Sequence, residues 1–186
     1  MSHSGIYSKG VLTKTCALSL DEVGRNIKEI LETKLKRELE GKCSKDGYIK
    51  DDSLQVITYS SGKIIDGSTI MFEVVIEVLL SFPVEGMLIE ARADNITKAG
   101  IKASIPDTDP SPLVIFISRD HFHSDDYFRS VQEGESIIVR VIGQRFELND
   151  PFISVIGELV KPREGQGKGK GAPLAVGAKA PYVVLE

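Results

Sequence analysis

The stretch STIMFEVVIEVLLSF, residues 68–82, alternates along its whole length. Ile70, Phe72, Val74, Ile76, Val78, Leu80 and Phe82 fall on one face, with Glu73, Glu77 and Ser81 on the other. Successive side chains of an extended chain point to opposite faces, and branched Cβ atoms fit the pleat, so this is a strand. A strand this long with one apolar face needs a sheet around it and a layer to cover it. The covering element precedes it, in SLDEVGRNIKEILETKLKRELEGK, residues 19–42. Leu20, Val23, Ile27, Ile30, Leu31, Leu35 and Leu39 recur at helical spacing and make one apolar stripe. Ser19 with Glu22 three residues later reads as a capping box, and Gly41 is placed to end the helix in a left-handed conformation.

Around this pair, residues 6–18 read as a first strand. EGKCSKDGYIKDD, residues 40–52, breaks the chain after the helix, and GYIKDDSLQVITYSSG reads as a bent strand closed by Ser60-Ser61-Gly62. Residues 1–82 therefore predict a small α+β domain, one long helix on an antiparallel sheet, with a boundary at Phe82-Pro83. Beyond it, GMLIEARADNI, GIKASI, LVIFIS, ESIIVRVIGQRF and FISVIGELV give five short strands. Asn149-Asp150-Pro151 turns between the last two, and HFHSDDYF supplies a helical turn between the third and fourth. That count and size over residues 83–160 predict a five-stranded OB-fold β-barrel. Residues 161–186 are a Gly/Lys/Pro-rich tail, predicted to be flexible and basic.

The formal net charge of −4 hides an uneven distribution. Residues 1–82 carry net −1, residues 83–160 net −6 and residues 161–186 net +3. Such a chain has no general attraction for a polyanion. Two cysteines, Cys16 and Cys43, make no disulfide framework and lack metal-ligand spacing, which points to a reducing compartment. No secretory signal is visible, and the most apolar stretch is interrupted by Glu73 and Glu77, so a soluble intracellular protein without a membrane partner is expected. Walker, GxSxG and zinc-ligand patterns are missing, and the Gly-rich 165–171 run lacks the strand and helix of a phosphate cradle. No enzyme activity, cofactor or metal is expected. His121 and His123, near Asp125 and Asp126, do not share a helix face and read as a solvated loop. Asp107 and Asp109 read as turn residues. Cys43 lies near Lys42 and Lys45, which would lower a thiol pKa, although a structural thiol is the plainer reading.

The barrel strands offer one chemical surface. If Ile115 and Ile117 of LVIFIS point inward, Val114, Phe116 and Ser118 face out; if Ile101, Ala103 and Ile105 of GIKASI point inward, Lys102 faces out. An aromatic beside a cation is how sequence-tolerant single-strand binders hold a base and its backbone. Arg92, Lys98, Arg119 and Arg140 would extend a phosphate track. Against it stands the barrel's acidity, which equally suits a surface covered by a partner protein.

A strand–helix–sheet unit carrying EGKCSKDGYI, followed by an OB barrel opening PVEGMLIEARADNITKAGI, resembles the stalk subunit of multisubunit DNA-directed RNA polymerases. The type is the seventh subunit of eukaryotes and its archaeal counterpart. The likeness covers roughly residues 6–160, most specifically in the Gly41–Gly47–Tyr48 loop and IGQRFELNDPFISVIGEL, and RFELND resembles versions encoded by large DNA viruses. The resemblance implies a non-catalytic protein whose N-terminal domain plugs into the polymerase core near the clamp while its barrel guides nascent single-stranded RNA. In ribosomal-type OB repeats, the position matching Phe116 is often an aromatic that stacks on RNA. By this likeness Gly41, Lys42, Lys45, Asp46, Gly47 and Tyr48, with Gly62 and Gly67 of the Ser60–Gly67 turn, would form the inserted ends. The implied partners are the large polymerase subunits and a helical fourth-type subunit. The compartment would be the nucleus in a eukaryote, the cytoplasm in an archaeon, and a cytoplasmic factory or virion for a virus. Two other readings stay open: a free OB-fold RNA-binding adaptor in translation or RNA decay, and a structural bridge without RNA contact.

Overall fold

A computed structural model describes residues 5–106, 108–119 and 126–161 of the chain. The alternating stretch forms β6 (Thr69–Ser81), the spine of an antiparallel sheet. Along one edge of β6 runs β1 (Ser8–Ser19), in unbroken register from Ser8 opposite Leu80 to Ser19 opposite Thr69. The other edge takes three short strands in turn. These are β5 (Lys63–Asp66) at the Thr69 end, β4 (Gln55–Tyr59) in the middle and β3 (Gly47–Ile49) at the Ser81 end. A two-residue strand, β2 (Cys43–Ser44), pairs with β3. The expected bent strand over 47–62 is thus two strands, separated by a turn in which Asp52 takes φ 53°. Strands β2 and β5 are additional to the sequence reading.

Helix α1 spans Ile27–Leu39, shorter than the stripe suggested. Glu22 does accept the Ser19 backbone N–H at 3.0 Å, but it closes a 3₁₀ turn over Leu20–Glu22. Val23 then adopts an extended conformation, and the chain re-enters a helix at Ile27. The local capping signal was genuine, but Val23-Gly24 is too weak a helix former to carry it onward. At the far end Gly41 takes φ 70°, as expected after a helix. Leu31 and Leu35 are fully buried against Leu18, Leu54, Phe72, Val74 and Ile76. Each such leucine contributes about 1.5–3 kcal/mol by leaving water.

The second half closes a barrel from β7 (Leu88–Ile96), β8 (Gly100–Ser104), β9 (Leu113–Ser118), β10 (Ser136–Arg145) and β11 (Ile153–Val160), in the order β10-β11-β9-β8-β7. Strand β11 runs parallel to β9, and the other pairs are antiparallel. This mixed five-stranded closure is consistent with the OB-type barrel expected. Helix α2 (Asp126–Ser130) lies between β9 and β10 and buries Phe128 with the barrel core. Inward positions are Ile89, Ala91 and Ala93 on β7, Ile137, Val139 and Val141 on β10, and Ile153 and Val155 on β11, all buried.

Candidate nucleic-acid interface and docking surface

Strands β8 and β9 pair with Lys102 opposite Phe116, Gly100 opposite Ser118 and Ser104 opposite Val114. Ile101, Ala103, Ile115 and Ile117 are sealed inside the barrel, while Lys102 is exposed and Phe116 keeps 40% of its surface. The Phe116 ring leans along the sheet over Gly100, where a Cβ would sit 3.0 Å from the ring's Cζ. On the other side of Phe116 lies Ile156 of β11, also exposed. One row across the barrel's outer face therefore runs cation, aromatic, aliphatic. A base can stack on the ring while its backbone phosphate meets the ammonium.

The four further cations divide. Lys98 lies exposed in the β7–β8 turn, and Arg119 follows β9 directly. The Arg119 backbone N–H donates to the Ala99 carbonyl at 3.0 Å, and its guanidinium donates to the Thr97 carbonyl at 3.2 Å, 5.6 Å from the Phe128 ring centre. These two sit at the Gly100 end of β8–β9, beside Lys102 and Phe116. Arg92 and Arg140 do not join them. Arg92 lies 3.5 Å from Asp94 on its own strand, and Arg140 lies 2.7 Å from Glu158 across β10–β11. Exposed pairs like these add little stability, but they neutralise charge that a phosphate would otherwise meet. None of the acidic residues of 83–160 lies on β8 or β9.

The residues expected to dock separate into two groups at opposite ends of β6. Tyr48 pairs with Ser81, whereas Lys63 pairs with Met71 and Asp66 with Thr69. At the Thr69 end, Asp66 accepts the Ser68 and Thr69 backbone N–H groups at 3.1 and 2.9 Å, which pulls its carboxyl below the usual range. Gly67 is exposed in that turn, and Gly62 between β4 and β5 is half-buried. The Leu20 N–H donates to the Ser68 carbonyl at 2.8 Å, bringing the 3₁₀ turn beside the hairpin. The outcome is an apolar end of the sheet, with Leu20, Ile64 and Ile65 exposed at 56%, 69% and 55%. The sequence placed Leu20 in the helix's apolar stripe, which the 3₁₀ turn and its exposure correct, and Ile64 and Ile65 were passed over. The available signal was Ile64-Ile65 within a strand, where neighbouring residues cannot share a face.

At the Ser81 end the β2–β3 hairpin turns inward. Its turn is held by the Ser44 hydroxyl, which donates to the Gly47 carbonyl and accepts the Asp46 N–H, both at 3.1 Å. Gly41 and Lys42 are half-buried, with the Gly41 N–H on the Ile49 carbonyl and the Lys42 carbonyl accepting the Ile49 N–H, each at 3.0 Å. Lys45 is exposed, and Asp46 lies 3.5 Å from Lys14. Cys43, Ser44, Gly47 and Tyr48 are buried, and Cys43 and Tyr48 pack with the barrel core. The neighbouring lysines do not activate the Cys43 thiol. Burial, with Asp150 adding to it, pushes its pKa up to about 11.

No protein-family model matches the chain. Curated relatives do. DNA-directed RNA polymerase II subunit 7 of Arabidopsis thaliana is 25% identical over 173 residues, covering 80% of this chain and 95% of that relative. DNA-directed RNA polymerase II subunit RPB7 of Glycine max is 24% identical over the same length and coverage. The chain resembles the seventh-subunit type of polymerase stalk protein. The likeness takes in both the sheet unit and the barrel. Among the described residues no group of three or more His, Cys, Asp or Glu is placed to hold a metal ion, and no helix is long and apolar enough to cross a membrane. His121, His123, Asp125, Asp107 and the tail beyond Lys161 lie outside the described residues. Asp126 opens α2 and Asp109 is exposed.

Proposed function

We propose that this chain is the non-catalytic stalk subunit of a DNA-directed RNA polymerase. It docks on the large subunits near the clamp and holds nascent single-stranded RNA on its barrel. The division of labour is 1–82 for docking, 83–160 for RNA and 161–186 as an appended tail. The observation that carries this reading is the likeness to polymerase II subunit 7 across both halves of the fold. Two surfaces support it. At one end of the sheet Leu20, Ile64 and Ile65 are each more than half exposed, which offers apolar side chains to a partner there. The Lys102–Phe116 pair, with Lys98 and Arg119 beside it, forms a cationic and aromatic strip free of acids. A clamp bias would require only that the docked tip bind the closed clamp better than the open one. A helical fourth-type subunit is a further partner on this reading, and the compartment is that of the polymerase served, the nucleus in a eukaryote.

The test is purification of tagged chain from its native source, with mass spectrometry of what accompanies it. Recovery of the two largest polymerase subunits supports the proposal; recovery of ribosomal or decay factors alone sinks it in favour of a free RNA-binding adaptor. One observation favours a structural bridge without RNA contact: Arg92 and Arg140 are already ion-paired on an acidic barrel. An RNA crosslink unchanged by Phe116→Ala with Lys102→Ala would support the bridge.

A further inference from the structure

Besides Ile6 and Tyr7, which pack against the barrel core ahead of β1, the described residues join the sheet unit to the barrel through the backbone at two places that lie far apart in sequence. One is the covalent link after β6, where the Gly86 N–H donates to the Val141 carbonyl at 2.8 Å and the Val141 N–H donates to the Met87 carbonyl at 2.9 Å. The other is the β2–β3 hairpin. The Cys43 N–H donates to the Asp150 carbonyl, and the Asn149 N–H donates to the Cys43 carbonyl, both at 2.8 Å. The receiving turn is itself set. The Glu147 N–H donates to the Asp150 carboxylate at 2.7 Å, and Asn149 takes φ 70°. Phe82, leaving β6, stacks edge-on against Phe146 with ring centres 6.0 Å apart. Gly47 lets the hairpin lie close on the end of β6: a Cβ there would stand 2.6 Å from the Ser81 carbonyl oxygen, at φ 122°.

We infer that the Cys43–Tyr48 hairpin is a brace that locks the sheet unit to the barrel, so that the two move as one lever. A chain tethered only through residues 82–87 would pivot there, because a few terminal residues absorb the dihedral changes of a hinge. A second attachment roughly forty residues upstream in sequence closes a ring through both units and removes that freedom. Side chains reinforce the backbone bonds, since Cys43 and Tyr48 are 1% and 2% exposed and pack among barrel residues. The inference stands whether or not the polymerase reading does.

The chain carries its own reporters. Cys43 lies in the brace and Cys16 lies under α1, both buried and both free thiols with pKa raised by burial. Iodoacetamide labelling of the folded chain, read per cysteine by peptide mass spectrometry, compares opening of the joint with unfolding of the sheet unit. Cys43 is expected to label no faster than Cys16 in the unaltered protein. Asn149→Pro removes the donor to Cys43 and forbids the left-handed φ, so it should speed Cys43 roughly tenfold or more while leaving Cys16 unchanged. Phe146→Ala, which keeps both backbone bonds, should act in the same direction and serves if the proline variant does not fold. Rapid labelling of Cys43 alone in the unaltered chain overturns the brace. So does a Cys43 rate that neither variant changes, or one that rises only together with that of Cys16.

Discussion

Replacing Phe116 tests the proposed RNA strip most directly. The ring is 40% exposed and already rests over Gly100, so it is ordered before any base arrives and stacking is not offset by fixing its rotamer. Base–aromatic stacking contributes about 1–3 kcal/mol, so Phe116→Ala should weaken single-stranded RNA binding by roughly 5- to 150-fold. The loss should be independent of salt, because no charge is removed. Lys102→Ala should behave differently, lowering the slope of log affinity against log salt by about 0.7, the share of one phosphate contact on a single strand. Fluorescence anisotropy of a labelled RNA oligonucleotide, from about 50 to 200 mM salt, separates the two. Arg140→Ala is the internal control, since its guanidinium is held by Glu158 at 2.7 Å, and it should change affinity least. An affinity within twofold for Phe116→Ala, or equal losses for Arg140→Ala and Lys102→Ala, would refute the strip.

Ile64→Glu with Ile65→Glu should abolish recovery of the large polymerase subunits while shifting stability by no more than about 0.5 kcal/mol per site, because both side chains already face solvent; a lost pulldown with a collapsed melting transition would mean the pair is structural. Gly47→Ala should destabilise by about 1–3 kcal/mol or more in denaturant titrations, since the new Cβ meets the Ser81 carbonyl and φ 122° disfavours any other residue; an unchanged midpoint would remove the close approach as its reason. The Cys43 thiol is raised from an ordinary value near 9 to about 11. Folding therefore favours its neutral form, and that stabilisation is full below pH ~9 and lost as pH climbs toward ~11, a fall of roughly 2–3 kcal/mol. Cys43→Ala should flatten the alkaline decline, leaving the part due to Cys16, Tyr7, Tyr48 and Tyr127, whose acid groups burial also holds up; a decline of undiminished steepness would contradict the assignment.

The long strand, the barrel strands and the outward positions of Phe116 and Lys102 were legible because each is set by a period of two with one face buried. LVIFIS and β9 coincide residue for residue. What was not legible depended on partners distant in sequence. The capping box at Ser19 was visible, and the weak helix formers Val23-Gly24 were too, but the apolar stripe running through them outweighed that signal in the sequence. The ion pair that occupies Arg140 comes from strand registry, which a single sequence does not display, whereas Asp94, two residues along from Arg92 on the same face of the strand, was open to view. Gly41 and Gly47 were read as freedom for a loop that enters a partner. In this fold Gly47 admits the chain's own backbone at Ser81, and a glycine's need for close approach looks the same in sequence whether the neighbour is internal or foreign.

The acidity of the barrel looks different once its location is known. A net of −6 over residues 83–160 would repel RNA if it were spread evenly. The strands β8 and β9 carry none of it, and the Debye length at physiological salt, about 8 Å, screens acids on other faces from a phosphate held at Lys102. The segments that carried the family likeness most specifically also meet in space. The Gly41–Tyr48 stretch and the RFELND stretch contribute Cys43 on one side and Asn149 and Asp150 on the other. Two segments that must fit each other constrain one another's sequences whatever the tip docks on. In this fold those two stretches form the joint and set how the barrel is carried, which leaves Ile64–Gly67 and Phe116 as the exposed surfaces on which the proposed recognition of polymerase and RNA is to be tested.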